Sequence, residues 1–250
     1  MDGSGHPIPP PDYVTEVSER YISPATPFFS GQPTFPVTAT NPLFTPEGFY
    51  PTTLDSPVKS LEWDTSVAQG VSILNSTIVN QIAGGKSLVV LGYSQSSTIS
   101  SLEMGALLAL PKSEQPTADQ LSFVLIGDLN NPDGGLLARF DDPSLPPLTF
   151  PSLGITFSGA TPADTPWETA IYTQEYDGYA DFPRYPIDLL ADANALLGTA
   201  VVHNIYPTLT AAQLASAELL PVSDDYTGHT QYFMIPTQDL PLLSLVRAIH

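Results

Sequence analysis

Between residues 87 and 110 the sequence changes character three times, and that change restricts the folds open to the chain more than any other feature. Ser87-Leu88-Val89-Val90-Leu91 is apolar at consecutive positions, the pattern of a strand covered on both faces, as in a central parallel sheet. Gly92 stops the run. From Ser97 to Leu110 the chain is rich in Leu, Met and Ala and free of proline until Pro111, which predicts a helix. Upstream, Val67, Val71, Leu74, Ile78 and Ile82 recur at helical spacing within Thr65 to Ile82, and Gly84-Gly85 closes that segment. Helix, buried strand, sharp turn and helix in succession call for an α/β architecture.

The rest of the chain extends the same alternation. A second buried strand is predicted at Phe123-Val124-Leu125-Ile126, followed by the turn sequence Asn131-Pro132-Asp133-Gly134-Gly135. A third fits Ala170 to Thr173, running into Glu175-Tyr176-Asp177-Gly178, and a helix from Ile187 to about Leu197 should turn Ile187, Leu190, Ala191 and Leu197 toward the core. A mostly parallel sheet with helices on both faces follows, in one domain over residues 1–250. The first sixty residues are proline-rich and read as ordered loops wrapping the core. Pro143 to Pro166 is proline-rich again but holds Leu145, Leu148, Phe150, Leu153, Ile155 and Phe157 with few charges, so it is expected to form an apolar cap.

Composition removes several function classes. With 26 acidic against 7 basic residues the net charge is -19, which repels phosphate backbones and anionic headgroups, so nucleic acid is not an expected partner. The absence of cysteine rules out disulfides, a thiolate nucleophile and Cys-based zinc sites. Neither an EF-hand loop nor a His-x-x-x-His pair occurs, so no metal and no organic cofactor is expected. The apolar runs Leu88 to Leu91 and Met104 to Leu110 are too short to span a bilayer, and the N-terminus lacks a basic-then-apolar signal pattern. The expectation is a cytosolic protein or one whose targeting segment is missing. Gly3-Ser4-Gly5 looks like a turn whose preceding strand has been cut short.

Gly92-Tyr93-Ser94-Gln95-Ser96 sits between strand and helix, where the nucleophile elbow of an α/β-hydrolase sits. Its backbone is strained, so the residues two positions either side of Ser94 must be small, and Gly92 and Ser96 are. The N–H of Gln95 would open the helix facing a developing oxyanion. Ser96, Ser97 and Ser100 are rivals, but helical serines tend to bond back to the chain. The plainer alternative is that Ser94 is an ordinary turn serine. In this fold the acid and then the base follow the nucleophile. Asp177 and Asp181 both lie after the third strand, Asp177 nearer its end, although either could simply cap a turn. Of the four histidines, His6 precedes the serine and His250 is terminal. His203, beyond the helix, and His229, in the polar turn Asp224 to His229, remain for the base, and His203 is preferred because that polar turn reads as a solvated loop. The second oxyanion donor is expected from Ser4, in the only early glycine turn.

The serine-ended motif Gly92-Tyr93-Ser94-Gln95-Ser96 resembles the PE-PPE domain family of mycobacterial and related actinobacterial proteins. So do Gly3-Ser4-Gly5, Thr45-Pro46-Glu47-Gly48, Asp64-Thr65-Ser66-Val67-Ala68-Gln69-Gly70, and Tyr176-Asp177-Gly178 with Ala180-Asp181-Phe182-Pro183. Ile235-Pro236-Thr237 and Leu240-Pro241-Leu242-Leu243 complete a match along nearly the whole chain. The resemblance implies an α/β-hydrolase fold, a Ser-Asp-His triad and action on acyl esters, in secreted or cell-surface proteins. Gly-Tyr-Ser-Gln is also similar to cutinases, as is His203-x-x-Tyr206 around their base, although cutinases normally carry disulfides. The expected function is hydrolysis of short to medium acyl esters, small-molecule or lipid, through an acyl-enzyme on Ser94. The alternatives are acyl transfer onto sugar or glycolipid hydroxyls and a non-catalytic surface domain. Oligomeric state is not readable.

Overall fold

The computed structural model describes residues 1–52, 61–140, 144–185 and 187–249. Along the chain come α1 (Pro11–Val17), a wide helical turn over Ser18–Ile22, α2 (Trp63–Ala83), β1 (Leu88–Tyr93), α3 (Gln95–Leu108), β2 (Leu121–Ile126) and the single-turn α4 (Leu136–Arg139). A hairpin of β3 (Thr149–Phe150) and β4 (Ile155–Thr156) follows, then β5 (Glu168–Gln174), α5 (Leu189–Val201), a tight helical turn over His203–Thr208, α6 (Ala211–Ala215), β6 (Glu218–Leu219), β7 (Thr230–Ile235) and α7 (Pro241–Ile249).

The strands form a five-stranded sheet in the order β1-β2-β5-β7-β6, parallel throughout except for the edge strand β6. Because side chains alternate along a strand, β2 feeds two cores. Leu121 and Phe123 join Trp63, Leu74, Ile78, Ile99 and Met104 under α2 and α3, while Val124 and Ile126 join Tyr13, Tyr21, Tyr172 and Tyr206 on the other face. Helical segments therefore cover both faces of a mostly parallel sheet, in an α/β-hydrolase-like fold. No described helix is long and apolar enough to cross a membrane.

Each strand and helix read from periodicity is present, one to four residues longer or shifted. Three readings need correction. The N-terminal segment is not loop alone: Pro11 opens α1 at its first position, where a missing N–H costs nothing. The strand β7 has no counterpart among the sequence expectations, although Tyr232-Phe233-Met234-Ile235 is an apolar run. The helix α5 begins only after Ile187 and does not bury Leu190; the two are 88% and 71% exposed.

Close backbone approach explains the last difference. A methyl group built on Gly198 would lie 1.8 Å from the Tyr176 carbonyl oxygen, and one on Gly178 would lie 2.0 Å from the Ala195 carbonyl oxygen. The buried face of α5 is Asn194, Ala195 and Gly198. Small residues let this helix lie directly on the 176–178 turn, and Leu189, Leu190 and Leu196 are left outside. Gly198→Ala should therefore destabilise the protein by about 1–3 kcal/mol or more through overpacking, whereas Leu190→Ser should stay within about 0.5 kcal/mol of the parent. Urea denaturation of the two variants checks the ranking.

Candidate active site

The first component is the turn at the end of β1. Ser94 has φ 56° and ψ -120°, a region that L-residues enter only under constraint. A methyl group on Gly92 would meet the Ser96 carbonyl oxygen at 2.6 Å. The Ser96 hydroxyl fastens the turn, accepting from the Tyr93 N–H at 2.8 Å and donating to the Tyr93 carbonyl at 3.0 Å. The rival serines are committed elsewhere. Ser97 donates to the Ser94 carbonyl at 2.6 Å and Ser100 to the Ser96 carbonyl at 2.8 Å.

The Ser94 hydroxyl oxygen lies 2.8 Å from His203 Nε2. His203 Nδ1 lies 2.9 and 2.8 Å from the two carboxylate oxygens of Asp177. An ionised carboxylate only accepts, so Nδ1 carries the proton and Nε2 is free to accept from the serine. Asp177 is fully buried and also accepts from the Tyr179 N–H at 3.0 Å and the Tyr206 hydroxyl at 2.8 Å. The imidazole is held by aromatic neighbours: Tyr93 stacks on it at 5.5 Å and donates its hydroxyl to the His203 carbonyl, and Tyr179 meets it edge-on at 4.7 Å. Room for the ring comes from Gly127 after β2, where a methyl group would lie 3.0 Å from the imidazole.

The structure thus brings Ser94, His203 and Asp177 together. The rivals lie apart from that chain of contacts. Asp181 accepts from the Tyr176 N–H at 2.9 Å, and burial raises its carboxyl above the usual range. His229 is exposed at the amino end of β7, its carbonyl bonded to the Thr169 N–H, whereas Ser94 follows the carboxyl end of β1. His6 is exposed at the cavity rim. His250 lies outside the described residues, as does Pro143 at the start of the cap segment.

The turn at residues 3–5 packs against the serine, with the position a Gly3 methyl would take 3.0 Å from Ser94 Cβ. The Ser4 hydroxyl donates to Gln95 Oε1 at 2.8 Å, and Gln95 Nε2 donates to the Gly48 carbonyl at 2.9 Å and to the Ser66 hydroxyl at 3.1 Å. This commits the Ser4 hydroxyl and leaves its backbone N–H. The N–H of Gln95, first in α3, has no intrahelical partner. Gln95 adjoins Ser94 in the chain, and the 3–5 turn adjoins it in space through Gly3.

A cavity of about 810 Å³ opens over Ser94 and His203, within the size range of small-molecule sites. Phe49, Trp63, Leu137, Phe150, Ile155 and Phe157 line one side. The cap supplies three of these, and Asp64 at the start of α2 pins it by accepting from the Thr156 N–H and hydroxyl at 3.0 and 2.8 Å. Phe157 is buried and Phe150 and Leu148 half-exposed, while Leu145 projects outward.

The PE-PPE domain model matches residues 36–250. The chain belongs to the PE-PPE domain family. Among Mycobacterium tuberculosis proteins it is 47% identical over 249 residues to "Esterase PE16" and 43% identical over 249 residues to "PE family protein PE3", covering all of this chain. It is 28% identical over 184 residues, 71% of this chain and 48% of the relative, to "Diacyltrehalose acyltransferase Chp2". The chain spans 44% and 49% of the first two relatives. No solved structure gives a match.

In this PE-PPE chain the family segment Thr45-Pro46-Glu47-Gly48 has a structural task that sequence reasoning did not assign. Glu47 is fully buried, its carbonyl accepts the Gly5 N–H at 2.7 Å, and its carboxyl takes the Thr45 hydroxyl on one oxygen and, among the described residues, no partner on the other. It ties residues 3–5 in place from behind. Burial pushes its pKa from 4.5 up to about 8. The unfolded carboxyl ionises above about pH 4.5 while the buried one stays protonated to about pH 8, so the native state holds the extra proton and stability falls with rising pH across that window. Glu47→Gln should remove a slope on the order of 1 kcal/mol per pH unit. Denaturation at pH 5 and pH 8 checks this: the variant should gain on the parent at pH 8 and not at pH 5.

Proposed function

We propose that this domain hydrolyses carboxylic esters through an acyl-enzyme on Ser94. The observation that carries the reading is the continuous chain Ser94–His203–Asp177, with contacts of 2.8–2.9 Å, opening onto an apolar cavity. His203 Nε2 takes the hydroxyl proton as the serine oxygen attacks the ester carbonyl, and Asp177 stabilises the imidazolium that forms. The oxyanion faces the N–H groups of Gln95 and Ser4. His203 then returns the proton to the departing alcohol, and water, deprotonated by the same imidazole, releases the acid. An esterase-named relative at 47% identity supports the reading. Acyl transfer is the second reading, favoured by the more distant acyltransferase-named relatives. It uses the same residues and replaces water with an alcohol.

Ser94→Ala should lower kcat by about 10⁴-fold or more with unchanged circular dichroism. His203→Ala should do likewise, and His229→Ala should leave turnover near the parent's. The reverse histidine ranking in p-nitrophenyl ester assays would move the base to His229. A protonated imidazole cannot accept the serine proton, so kcat/KM should fall in acid; a profile with no acid limb would count against a histidine base.

The cap side of the cavity suits an acyl chain. Each methylene it covers adds about 0.8 kcal/mol at most, or up to about fourfold in kcat/KM. Activity on p-nitrophenyl esters should climb from acetate through several carbons, and Phe150→Ala or Phe157→Ala should shift where it stops. A maximum at acetate would remove the groove, and an unshifted profile would leave the phenylalanines as packing alone.

A further inference from the structure

The turn that follows β2 serves two parts of the site at once. Gly127 makes room for the His203 imidazole, and two residues later the buried Leu129 lines the cavity. Between them Asp128 is fully buried and bonds elsewhere. Its Oδ1 accepts the Asn130 N–H at 3.0 Å and its Oδ2 the Thr161 hydroxyl at 2.6 Å, and Ser97 lies within hydrogen-bonding reach of the same carboxyl. The Thr161 proton is thereby committed, so the hydroxyl of Ser101 on α3, 2.5 Å away, donates to Thr161 Oγ1. Burial raises the Asp128 carboxyl above its ordinary range, and the bonds it accepts oppose that rise.

The residues tied down in this way form the leg by which the cap rejoins the sheet. The Thr161 N–H donates to the Asn130 carbonyl at 2.7 Å, and Asn130 Nδ2 donates to the Gly159 carbonyl at 2.6 Å and the Ser158 hydroxyl at 2.9 Å. This lacing begins directly after Phe157, which is buried, lines the cavity and meets the rings of Phe140 and Phe150 at 5.6 Å. On the other side of Phe157, the Thr156 hydroxyl is held by Asp64. One phenylalanine of the cavity wall is therefore braced from both sides by a threonine hydroxyl on a carboxylate, at Thr156 and at Thr161. Asp128, Ser101 and Thr161 do not line the cavity themselves, so whatever they do to a substrate passes through that wall.

Resting on the reading of Ser94 as nucleophile and of the cap side of the cavity as an acyl groove, we propose that Asp128 is a specificity-determining positioning residue: through Thr161 and Ser101 it fixes the cap leg beside Phe157, and so sets how much of an acyl chain the groove covers. Dispersion contacts are lost once a wall retreats by a fraction of an ångström to an ångström, so releasing the leg costs the contacts made far along a chain. The triad is held by other groups, with Tyr206 and the Tyr179 N–H on Asp177 and Tyr93 on the His203 carbonyl. Release of the leg therefore falls on long acyl groups and spares acetate.

The test compares Thr161→Val, which replaces the hydroxyl with a methyl group, and Thr161→Ser, which keeps the hydroxyl, on p-nitrophenyl acetate and p-nitrophenyl octanoate. Thr161→Val should lower the octanoate-to-acetate ratio of kcat/KM by about 4- to 15-fold, the worth of one or two methylenes, with acetate turnover near the parent's. Thr161→Ser should keep the parent ratio. Amide hydrogen exchange over residues 155–161 should quicken in Thr161→Val and not in Thr161→Ser. An unchanged ratio, a parallel loss on both esters or a Thr161→Ser variant that behaves like Thr161→Val would overturn the proposal. Should Thr161→Val fail to fold, Ser101→Ala carries the same comparison: a smaller fall in the ratio supports the anchor, and no fall overturns it. A parent that cleaves neither ester removes the reading of Ser94, and exchange over residues 155–161 then decides the anchor by itself, unaltered exchange in Thr161→Val overturning it.

Discussion

An L-serine at φ 56° is held against its own preference, at a cost on the order of 1–3 kcal/mol, and the arrangement of the site depends on that constraint. The strain is sustained because Gly92 lets the first turn of α3 fold back onto the end of β1, and because the Ser96 hydroxyl closes the turn on both polar groups of Tyr93. The same turn exposes the Ser94 oxygen above the carboxyl end of the sheet and points the first N–H of α3 to the same place. A methyl group at Gly92 would have to displace backbone, not a flexible side chain.

From that point the packing is organised around one imidazole. Tyr93 belongs to the Ser94 turn and Tyr206 to the tight turn after α5, yet both close on His203, and Tyr206 also secures Asp177 and the Gln174 N–H. Gly178 and Gly198 allow α5 to press on the 176–178 turn, which sets where Asp177 and the 203–208 turn can meet. The Gln95 side chain performs the corresponding task for residues 3–5. In one buried residue it links the Ser4 hydroxyl, the Gly48 carbonyl and the start of α2. The small residues and buried polar groups here act on geometry through close approach and directional bonds, and hydrophobic burial supplies the surrounding rigidity.

Much of this was legible in the sequence wherever one face of an element carries large apolar residues. The strands β1, β2 and β5 and the helix α2 announce themselves that way, and Ser94 is marked by the small residues around it. Asp177 and His203 were preferred by chain order and by position, Asp177 for lying nearer the strand end, while the geometry that brings them together depends on a close helix–turn contact that the sequence does not show. The α5 leucines mislead for the same reason: periodicity assumes that the large residues face inward, and a glycine-mediated contact inverts that. Glu47, Tyr206 and Gly127 gave no sequence signal of their own, because their partners are 42, 29 and 76 residues away, at Gly5, Asp177 and His203. The family segment around Glu47 and the cutinase-like His203-x-x-Tyr206 spacing pointed to the first two.

The central claim is that one serine, among several in the same turn and helix, is made nucleophilic by this geometry. Treatment with a fluorophosphonate followed by peptide mapping by mass spectrometry tests it directly. The account predicts a single stoichiometric adduct on Ser94, formed faster as His203 loses its proton and absent after His203→Ala. An adduct on Ser96, Ser97 or Ser100, or none in the folded parent, would contradict it.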